Sequence, residues 1–319
     1  MKLLVTGGAG FIGSNFIRYI LDKYPDYKVV NLDNLSYCGN LENLRSIEKN
    51  PNYKFIKGDI CIAKIVEMSL NDVDVVINMA AETHVDRSIV DAFSFIQTNV
   101  VGTYTLLEAA KRKKVKLFLQ VSTDEVYGSI ENGSFKEVDP LNPSSPYAAS
   151  KASADLLARS YFTTYNFPVV ISRSSNNFGP YQYPEKVIPL FITNILEAKK
   201  VPLYGDGLNR RDWIFVLDNC AAIDLVIHKG LIGEIYNICS GNEFTNRELT
   251  DTILAKMGKG EDTIEYVLDR PGHDRRYSVD PSKIRSLGWQ PSYDFNSQLA
   301  LTISWYKDNQ KWWQRLKRS

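Results

Sequence analysis

The sequence predicts an α/β protein with a doubly wound parallel sheet, followed by a smaller, loop-rich α/β domain. Short apolar runs that do not alternate with polar residues are typical of strands buried on both faces of a parallel sheet. Longer helical stretches separate these runs, which indicates repeated strand–helix–strand units. A glycine-rich turn at Gly7–Gly13 joins the first run directly to the first helical stretch, as is typical of such sheets.

Apolar runs rich in Val, Ile, Leu and Phe are predicted to form six strands: Lys2–Thr6, Lys28–Leu32, Tyr53–Lys57, Val73–Asn78, Lys116–Ser122 and Val169–Ser172. The stretches between them are predicted to be helices: Phe11–Lys23, Leu41–Lys49, Ile62–Leu70, Ala92–Lys113 and Pro146–Asn166. Because helical crossovers connect the strands, we expect the strands to run parallel, with helices on both faces of the sheet.

The strand–helix rhythm ends near residue 174, where proline, glycine and aromatic residues become frequent. We therefore predict a Rossmann-type domain at residues 1–174, to which segments near 213–230 return, and a second domain at residues 175–319. The last predicted helix, Phe295–Leu316, carries large aromatic residues, which mostly anchor packing.

The composition excludes several classes of protein. The chain has 319 residues with 38 basic and 37 acidic side chains, and this even balance argues against a nucleic-acid surface. Its four cysteines form no Cys-x-x-Cys pair and its three histidines are few, so we expect reduced thiols, no metal and a cytoplasmic protein. No apolar run reaches the roughly 18 residues of a membrane span, and the N-terminal run is too short for a signal peptide.

The glycine turn has the spacing Gly7-x-x-Gly10-x-x-Gly13 between a predicted strand and a predicted helix. Glycine lets the backbone turn tightly and approach a pyrophosphate, and the helix N-terminus offers free N–H groups to the phosphates. Because the strand–turn–helix context is present, the motif predicts a dinucleotide site.

Two aspartates follow predicted strands near this turn. Asp33 lies 20 residues after Gly13. A carboxylate there would accept hydrogen bonds from ribose hydroxyls and repel a 2′-phosphate, which favours NAD over NADP. Asp59 is placed to reach the adenine amino group, although a role in the local turn is the competing interpretation.

Candidate catalytic residues occur at two places. Tyr147 and Lys151 lie four residues apart on one face of a predicted helix, where an ammonium would lower the pKa of the phenol and ready it to accept a proton. Thr123, Asp124 and Glu125 follow a predicted strand, at the edge where ligands bind in such sheets. Hydride transfer alone needs no carboxyl pair, whereas an adjacent acid and base suit elimination of water.

These residues carry a resemblance to the extended short-chain dehydrogenase/reductases and, among them, to the dTDP-glucose 4,6-dehydratases. The matching segments cover nearly the whole chain, and those at Ser122–Gly128 and Asn176–Pro189 are highly specific. The others are Thr6–Phe16, Ala80–Ile89, Thr98–Thr103, Ser145–Ala152, Tyr204–Val216 and Arg270–Tyr277. Thr83 stands where many members have serine, and either hydroxyl would serve.

The resemblance implies an NAD-dependent lyase that converts dTDP-glucose to dTDP-4-dehydro-6-deoxyglucose and water. Tyr147, helped by Thr123 and Lys151, would take the 4-hydroxyl proton while hydride leaves carbon 4. Glu125 would then remove the proton from carbon 5, and protonated Asp124 would assist departure of the 6-hydroxyl. Hydride would return to carbon 6, so NAD would be retained. The product would feed dTDP-rhamnose or other deoxysugars used in polysaccharides.

The resemblance also assigns binding residues and a homodimer, in which Ala92–Lys113 and Pro146–Asn166 would pair as a four-helix bundle. The cofactor residues would be Gly7, Gly10, Phe11, Ile12, Gly13, Asp33, Asn34, Leu35, Ser36, Asp59, Ile60, Met79, Ala80, Ala81, Thr98, Tyr147, Lys151 and Asn177. The substrate residues would be Thr83, Thr123, Asn176, Lys186, Val187, Pro202, Tyr204, Arg211, Asn246, Asp269, Arg270 and His273.

Other functions remain open on the sequence alone. A nucleotide-sugar 4-epimerase shares the glycine turn and the Tyr/Lys pair but does not need Asp124 and Glu125. A UDP- or GDP-sugar 4,6-dehydratase would differ in its nucleotide, and the GDP-mannose enzymes prefer NADP. A cofactor-sensing regulator would usually lack the Tyr/Lys pair that this chain keeps.

Overall fold

The computed structural model describes residues 1–292 and 294–317. Its centre is a parallel sheet of seven strands in the order β10-β6-β5-β4-β1-β2-β3. These strands are β1 (Lys2–Thr6), β2 (Lys28–Asp33), β3 (Tyr53–Lys57), β4 (Val75–Asn78), β5 (Leu117–Thr123), β6 (Val169–Ser174) and β10 (Ile235–Ile238). The prediction of a Rossmann-type doubly wound sheet is confirmed.

All six predicted strands are present and differ from the prediction by at most two residues at either end. The seventh, β10, was not predicted, because it is only four residues long, includes the polar Asn237 and follows the break in rhythm. The strand order reverses between β1 and β4, where a doubly wound sheet opens a crevice at the carboxyl ends of its strands.

The helices that accompany this sheet are α1 (Phe11–Lys23), α2 (Ala63–Ser69), α3 (Val85–Val90), α4 (Ala92–Phe95), α5 (Thr103–Arg112), α6 (Pro146–Tyr165) and α8 (Val216–Lys229). Leu41–Ile47 and Asp124–Tyr127 are 3₁₀ turns. Apolar side chains of the strands and helices form two buried clusters, one on each face of the sheet. We call the sheet and these helices the first lobe.

The prediction of one continuous helix at Ala92–Lys113 is wrong. A π-helical segment, Ile96–Gly102, separates α4 from α5. The buried Asn99 side chain in this segment donates to the Glu82 carbonyl and to Ser150 Oγ, and it accepts the Glu82 N–H. The wider turn thus places a polar side chain between the crevice and α6, which apolar periodicity does not reveal.

The second lobe holds the remaining strands and helices. The strands are β7 (Asn176–Phe178), β8 (Val201–Tyr204), β9 (Arg210–Phe215), β11 (Glu243–Thr245) and β12 (Ile264–Val267), arranged as the small sheets β11-β9-β7 and β12-β8. The helices are α7 (Val187–Leu196), α9 (Asn246–Lys256), α10 (Ser282–Ser286), α11 (Phe295–Asp308) and α12 (Gln310–Leu316), with a 3₁₀ turn at Glu261–Thr263. Of these, α10 contacts β10 of the first lobe.

The chain tail ties the two lobes together. The predicted single helix at Phe295–Leu316 divides at Asn309 into α11 and α12. Buried Trp313 belongs to the apolar core of the second lobe, and buried Trp312 donates from its indole N–H to Asn43 Oδ1 in the first lobe at 2.9 Å. The predicted packing role of the aromatic tail is therefore observed. Among the described helices, none is long and apolar enough to cross a membrane.

Candidate active site

The glycine turn brings three backbone segments into contact at the crevice. Gly7 has a φ of +68°, and a Cβ on it would lie 2.7 Å from Ala80 Cα after β4. A Cβ on Gly13, in the first turn of α1, would lie 2.3 Å from the Gly7 carbonyl oxygen. Both positions therefore require glycine, and the backbone N–H groups of the α1 N-terminus border an open cleft.

Asp33 is buried at the end of β2 and lines the cleft. Its Oδ2 accepts the Ala9 N–H at 2.9 Å and its Oδ1 accepts the Leu35 N–H at 2.8 Å. Burial raises the pKa of Asp33, and these two donors oppose the rise. Each oxygen keeps acceptor capacity for a hydroxyl, as an adenosine ribose would need. Asp59 lies outside the lining, and its Oδ1 accepts the Cys61 N–H at 2.8 Å as part of a turn.

Tyr147 and Lys151 extend from the first turns of α6 into the cleft. The Lys151 ammonium donates to the Val121 carbonyl on β5 at 2.7 Å, and burial lowers its pKa to about 8, opposed by the Asp155 carboxylate. Burial, followed by the Glu125 charge, raises the pKa of Tyr147 above its usual value. The expectation that Lys151 lowers the phenol pKa is therefore wrong for this arrangement, because burial and the carboxyls dominate at Tyr147.

The end of β5 delivers a hydroxyl and two carboxyls to the same place. The Thr123 hydroxyl donates to Asp124 Oδ1 at 3.2 Å. Burial and the Glu125 charge raise the pKa of Asp124 to about 8. The expected effect of the neighbouring carboxylate is present, and burial is the larger cause.

Glu125 has different surroundings from Asp124. Burial raises the pKa of Glu125, and three cations, Arg211, Arg270 and Lys186, act against this rise. Among the main influences on Asp124, only one cation, Arg211, lowers the pKa. One carboxyl is thus favoured as an acid and its neighbour as a base. Within residues 1–292 and 294–317, Asp124 Oδ2 and Glu125 Oε2 are buried without a hydrogen-bond partner.

The three cations come from the second lobe or its border. Half-buried Lys186 precedes α7 and donates to the Thr83 carbonyl at 2.9 Å. Arg211 on β9 is buried, lies 4.0 Å over the Tyr277 ring and donates to the Asp274 carbonyl at 2.9 Å. Arg270 donates to Asp86 Oδ1 at 3.2 Å. The site therefore concentrates positive charge beside the carboxyl pair.

Other predicted substrate residues lie in the second lobe. Tyr204, at the end of β8, donates to Asp86 Oδ2 at 3.3 Å. The His273 ring meets the Tyr204 ring edge to face at 6.3 Å, and its Nδ1 lies 2.6 Å from Asp269 Oδ1. Val187 and Asn246 begin α7 and α9, and Pro202 lies on β8.

The cleft brings together most of the predicted cofactor residues and some of the predicted substrate residues. The predicted residues that line it are Gly7, Gly10, Phe11, Ile12, Gly13, Asp33, Asn34, Ser36, Ile60, Met79, Ala80, Ala81, Thr83, Thr98, Thr123, Asp124, Glu125, Tyr147, Lys151, Asn176, Asn177 and Lys186. The predicted residues outside its lining are Leu35, Asp59, Val187, Pro202, Tyr204, Arg211, Asn246, Asp269, Arg270 and His273.

Sequence reasoning missed several lining residues, among them Tyr37, Cys38, Glu82, Gln182, Tyr183 and Glu185. The Tyr37 ring lies between Arg87, 3.8 Å from its centroid, and Tyr183, whose ring meets it edge-on at 5.5 Å. Tyr37 and Cys38 follow the predicted Asp33–Ser36 segment directly, and the others lie within segments that carried the resemblance. Their position in or next to those segments is the sequence signal that could have identified them as lining residues.

Comparisons with known proteins agree with this geometry. The family model described as GDP-mannose 4,6 dehydratase matches residues 4–302. The chain is 53% identical to low-salt glycan biosynthesis protein Agl12 of Haloferax volcanii, covering 96% of this chain and 98% of that protein. It is 50% identical to a dTDP-glucose 4,6-dehydratase of Streptomyces niveus, covering 99% and 96% of the two chains.

A solved structure of the dTDP-glucose 4,6-dehydratase DesIV from Streptomyces venezuelae, with NAD and dTDP bound, has the same fold. Its TM-score is 0.97 at 51% sequence identity, covering 99% of this chain and 100% of that one. Because the family model and these relatives match nearly the whole length, this chain belongs to the GDP-mannose 4,6-dehydratase family and, within it, to the dTDP-glucose 4,6-dehydratases.

Proposed function

We propose that the chain is an NAD-dependent dTDP-glucose 4,6-dehydratase that releases dTDP-4-dehydro-6-deoxyglucose and water. The observation that carries the proposal is the Asp124–Glu125 pair, with Asp124 buried and Glu125 half-buried, which lies with Thr123 and Tyr147 in a cleft bordered by the glycine turn. The first lobe would hold the cofactor, and the second lobe would supply most of the nucleotide-sugar site.

The residues of the first lobe fit NAD. The close approach at Gly7 and Gly13 leaves backbone N–H groups free for a pyrophosphate, and Asp33 has acceptor capacity for ribose hydroxyls but would repel a 2′-phosphate. When bound, NAD accepts hydride from carbon 4 of the sugar and returns hydride to carbon 6.

Tyr147 is the proposed acceptor of the 4-hydroxyl proton. Only its phenolate form can accept that proton, and burial together with the Glu125 charge, by raising the pKa of Tyr147, opposes this form. Thr123 acts in the opposite direction, because it lowers the pKa of Tyr147. Lys151, anchored on the Val121 carbonyl, supplies a positive charge one helical turn away.

The carboxyl pair performs the elimination in this proposal. A ketone at carbon 4 acidifies the proton on carbon 5, so oxidation must come first for a carboxylate to suffice as base. Glu125, opposite three cations, is suited to remove that proton. Asp124, with its pKa raised to about 8, still carries a proton at neutral pH and gives it to the leaving 6-hydroxyl.

The second lobe supplies groups for a diphosphate and a base. Arginine binds phosphate through paired N–H donors, and Arg211 and Arg270 lie near the carboxyl pair. Tyr204 has a ring available for stacking on thymine. Because Asp86 accepts from both Arg270 and Tyr204, it orients the two groups before the nucleotide arrives.

The epimerase alternative does not explain the carboxyl pair. An epimerase oxidises and reduces the same carbon atom, so it needs neither an acid at the 6-hydroxyl nor a base at carbon 5. Burial of two adjacent carboxyls is costly unless they are used or neutralised. The site therefore supports dehydration as the better assignment.

We further propose a cytoplasmic homodimer that supplies deoxysugars, such as dTDP-rhamnose, for polysaccharides. Large apolar side chains lie exposed along the packed helices α4, α5 and α6: Phe93 is 70% exposed, Tyr104 51% and Leu156 58%. A second copy of this chain would cover them if these helices paired across a dimer axis.

The test is incubation of purified protein with dTDP-glucose, followed by mass spectrometry for loss of water and by the alkali-induced absorbance of the 4-ketone. Glu125→Gln should oxidise carbon 4 but fail to exchange the carbon 5 proton with solvent deuterium. Asp124→Asn should oxidise and exchange that proton yet eliminate water slowly, because an amide donates no carboxylic proton. Formation of dTDP-galactose by the wild type, or both variants dehydrating at its rate, would contradict the proposal.

A further inference from the structure

The tail of the chain reaches the glycine turn through an asparagine side chain. Buried Trp312 on α12 donates from its indole N–H to Asn43 Oδ1 at 2.9 Å. The amide nitrogen of the same side chain, Asn43 Nδ2, donates to the Ala9 carbonyl in the glycine turn at 2.9 Å. Asn43 is 2% exposed, so water does not compete for either bond. Two consecutive buried hydrogen bonds thus join the tail to the turn, although the two segments lie at opposite ends of the sequence.

These bonds help to fix one peptide unit of the turn. The Ala9 carbonyl also accepts the Asn40 N–H at 3.0 Å, so both of its acceptor positions are used. At the other end of the same planar unit, the Gly10 N–H donates to the Gly7 carbonyl at 3.2 Å. α1 begins at the next residue, and its first N–H groups have no acceptor within the helix. The direction in which those groups face the cleft therefore depends on how this peptide is held.

Ala9 also contacts the carboxylate proposed to bind the adenosine ribose. Its N–H donates to Asp33 Oδ2 at 2.9 Å, and Ala9 is fully buried. A displacement of Ala9 would thus disturb two parts of the cofactor site together, the helix N-terminus that faces the pyrophosphate and the carboxylate that faces the ribose. Asn43 can oppose such a displacement without contact to the cofactor, because it holds the Ala9 carbonyl and does not line the cleft.

The backbone and the side chain of Asn43 are held by different partners. The Arg18 guanidinium on α1 donates to the Asn43 carbonyl and lies 4.1 Å from the centre of the Tyr181 ring. Tyr181 in turn meets the Trp312 ring edge to face at 6.0 Å. The side-chain amide is oriented by the indole N–H, and because an amide is planar, a fixed oxygen also fixes the direction of the nitrogen toward Ala9. Loss of the indole N–H would therefore act on this amide rather than on the backbone.

We propose that Trp312 is a positioning residue for NAD: its indole N–H orients the Asn43 amide, which holds the Ala9 carbonyl and so keeps the glycine turn in the form that binds the pyrophosphate. Trp312 itself does not line the cleft. The inference rests on the proposed function only through the cofactor, since any reaction with NAD in this cleft would use the same turn.

The test compares two neighbouring tryptophans in the full-length protein. Trp312→Phe and Trp313→Phe each remove one buried indole N–H and keep an aromatic ring, but the Trp313 N–H donates to the Tyr306 carbonyl within the second lobe at 2.8 Å. Calorimetry well below the melting temperature of each protein gives its NAD affinity. We expect Trp312→Phe to bind NAD about three- to tenfold more weakly than the wild type, the effect of one buried hydrogen bond, and Trp313→Phe to bind NAD as the wild type does.

Two further measurements distinguish positioning from a general loss of stability. At saturating NAD, kcat for dTDP-glucose should be unchanged in Trp312→Phe, because Trp312 contacts none of the reacting groups. Asn43→Leu removes both side-chain bonds at similar size and should weaken NAD binding at least as much as Trp312→Phe. Addition of Trp312→Phe to Asn43→Leu should then have little further effect on NAD affinity, because both changes break the same connection.

Three results would overturn the inference. In the first, Trp312→Phe binds NAD as tightly as the wild type. In the second, both tryptophan variants lose NAD affinity equally, so that general destabilisation is the cause. In the third, Asn43→Leu keeps wild-type affinity, and this variant decides the question if Trp312→Phe does not fold. A wild type that does not bind NAD would instead refute the proposed function, so the two failures are distinguishable.

Discussion

Two adjacent residues, Asp124 and Glu125, show how surroundings separate chemically similar groups. The sequence places both carboxyls at the end of a buried strand. This position predicts that they lie at the carboxyl edge of the parallel sheet, where ligands bind. Their different electrostatic surroundings depend on Arg211, Arg270 and Lys186, which are distant in sequence. Similarly, the spacing of Tyr147 and Lys151 predicts a shared helix face but not that the ammonium contacts the Val121 carbonyl.

The rate should depend on pH through two of these residues. Asp124 must be protonated to act as acid, and its pKa of about 8 means that it loses this proton as the pH rises through 8. Lys151, with a pKa lowered to about 8, loses its positive charge over the same range. We therefore expect kcat/KM for dTDP-glucose, which reports the free enzyme, to fall above about pH 8.

A charge-retaining variant separates the two contributions. In Lys151→Arg the guanidinium stays protonated throughout, so that a remaining fall near pH 8 reports Asp124. Measurement of kcat/KM from pH 6 to 10 for both proteins checks the prediction. A wild-type profile that stays flat to pH 10 would show that neither group needs its proton.

At the scale of elements, local motifs were predictable and interrupted helices were not. The glycine turn is a contiguous signal with a direct steric reason, and the structure has it as predicted. The π-helical segment at Ile96–Gly102 depends on Asn99 contacts with Glu82 and Ser150, which no periodicity within the segment reveals.

The turn itself can be tested with a matched pair of glycines. Gly7 and Gly258 have nearly equal φ values, +68° and +66°, so alanine costs each a similar backbone strain of about 1–2 kcal/mol. A Cβ on Gly7 would collide with Ala80, whereas one on Gly258 meets nothing within 4 Å. We expect Gly7→Ala to lose NAD binding, measured by calorimetry, and Gly258→Ala to keep it. Equal NAD affinity in both variants would contradict the steric role of Gly7.

At the scale of the whole molecule, the sequence pattern predicted six of the seven strands of the first lobe, but for the second lobe it predicted a separate domain without its small sheets. Residues such as Tyr204 and Arg270 come from separate loops and strands of the second lobe, and only the resemblance to a family linked them. Physical reasoning on a single sequence does not bring such distant loops together, because their arrangement depends on packing between small sheets and the tail helices.

If the proposed dimer forms through the exposed apolar side chains of α4, α5 and α6, charges introduced there should halve the mass of the particle in solution. Tyr104→Glu with Leu156→Glu would bury two charges if α5 and α6 pair between copies. We expect this double variant to sediment as a monomer in analytical ultracentrifugation. Leu231→Glu is the control, because Leu231 is 66% exposed in the turn before β10, away from these helices. A wild type that is already monomeric would refute the dimer.

The most direct test of the account follows one hydrogen atom through the reaction. dTDP-glucose that carries deuterium at carbon 4 is converted by the NAD-loaded enzyme in ordinary water, and the product is examined by mass spectrometry and NMR. The account predicts a product lighter by one water, with the deuterium in the carbon 6 methyl group and ordinary hydrogen at carbon 5. Two results would contradict hydride removal at carbon 4 and its return to carbon 6. In one, the deuterium remains on carbon 4 of a sugar that has not lost water; in the other, it is lost to solvent.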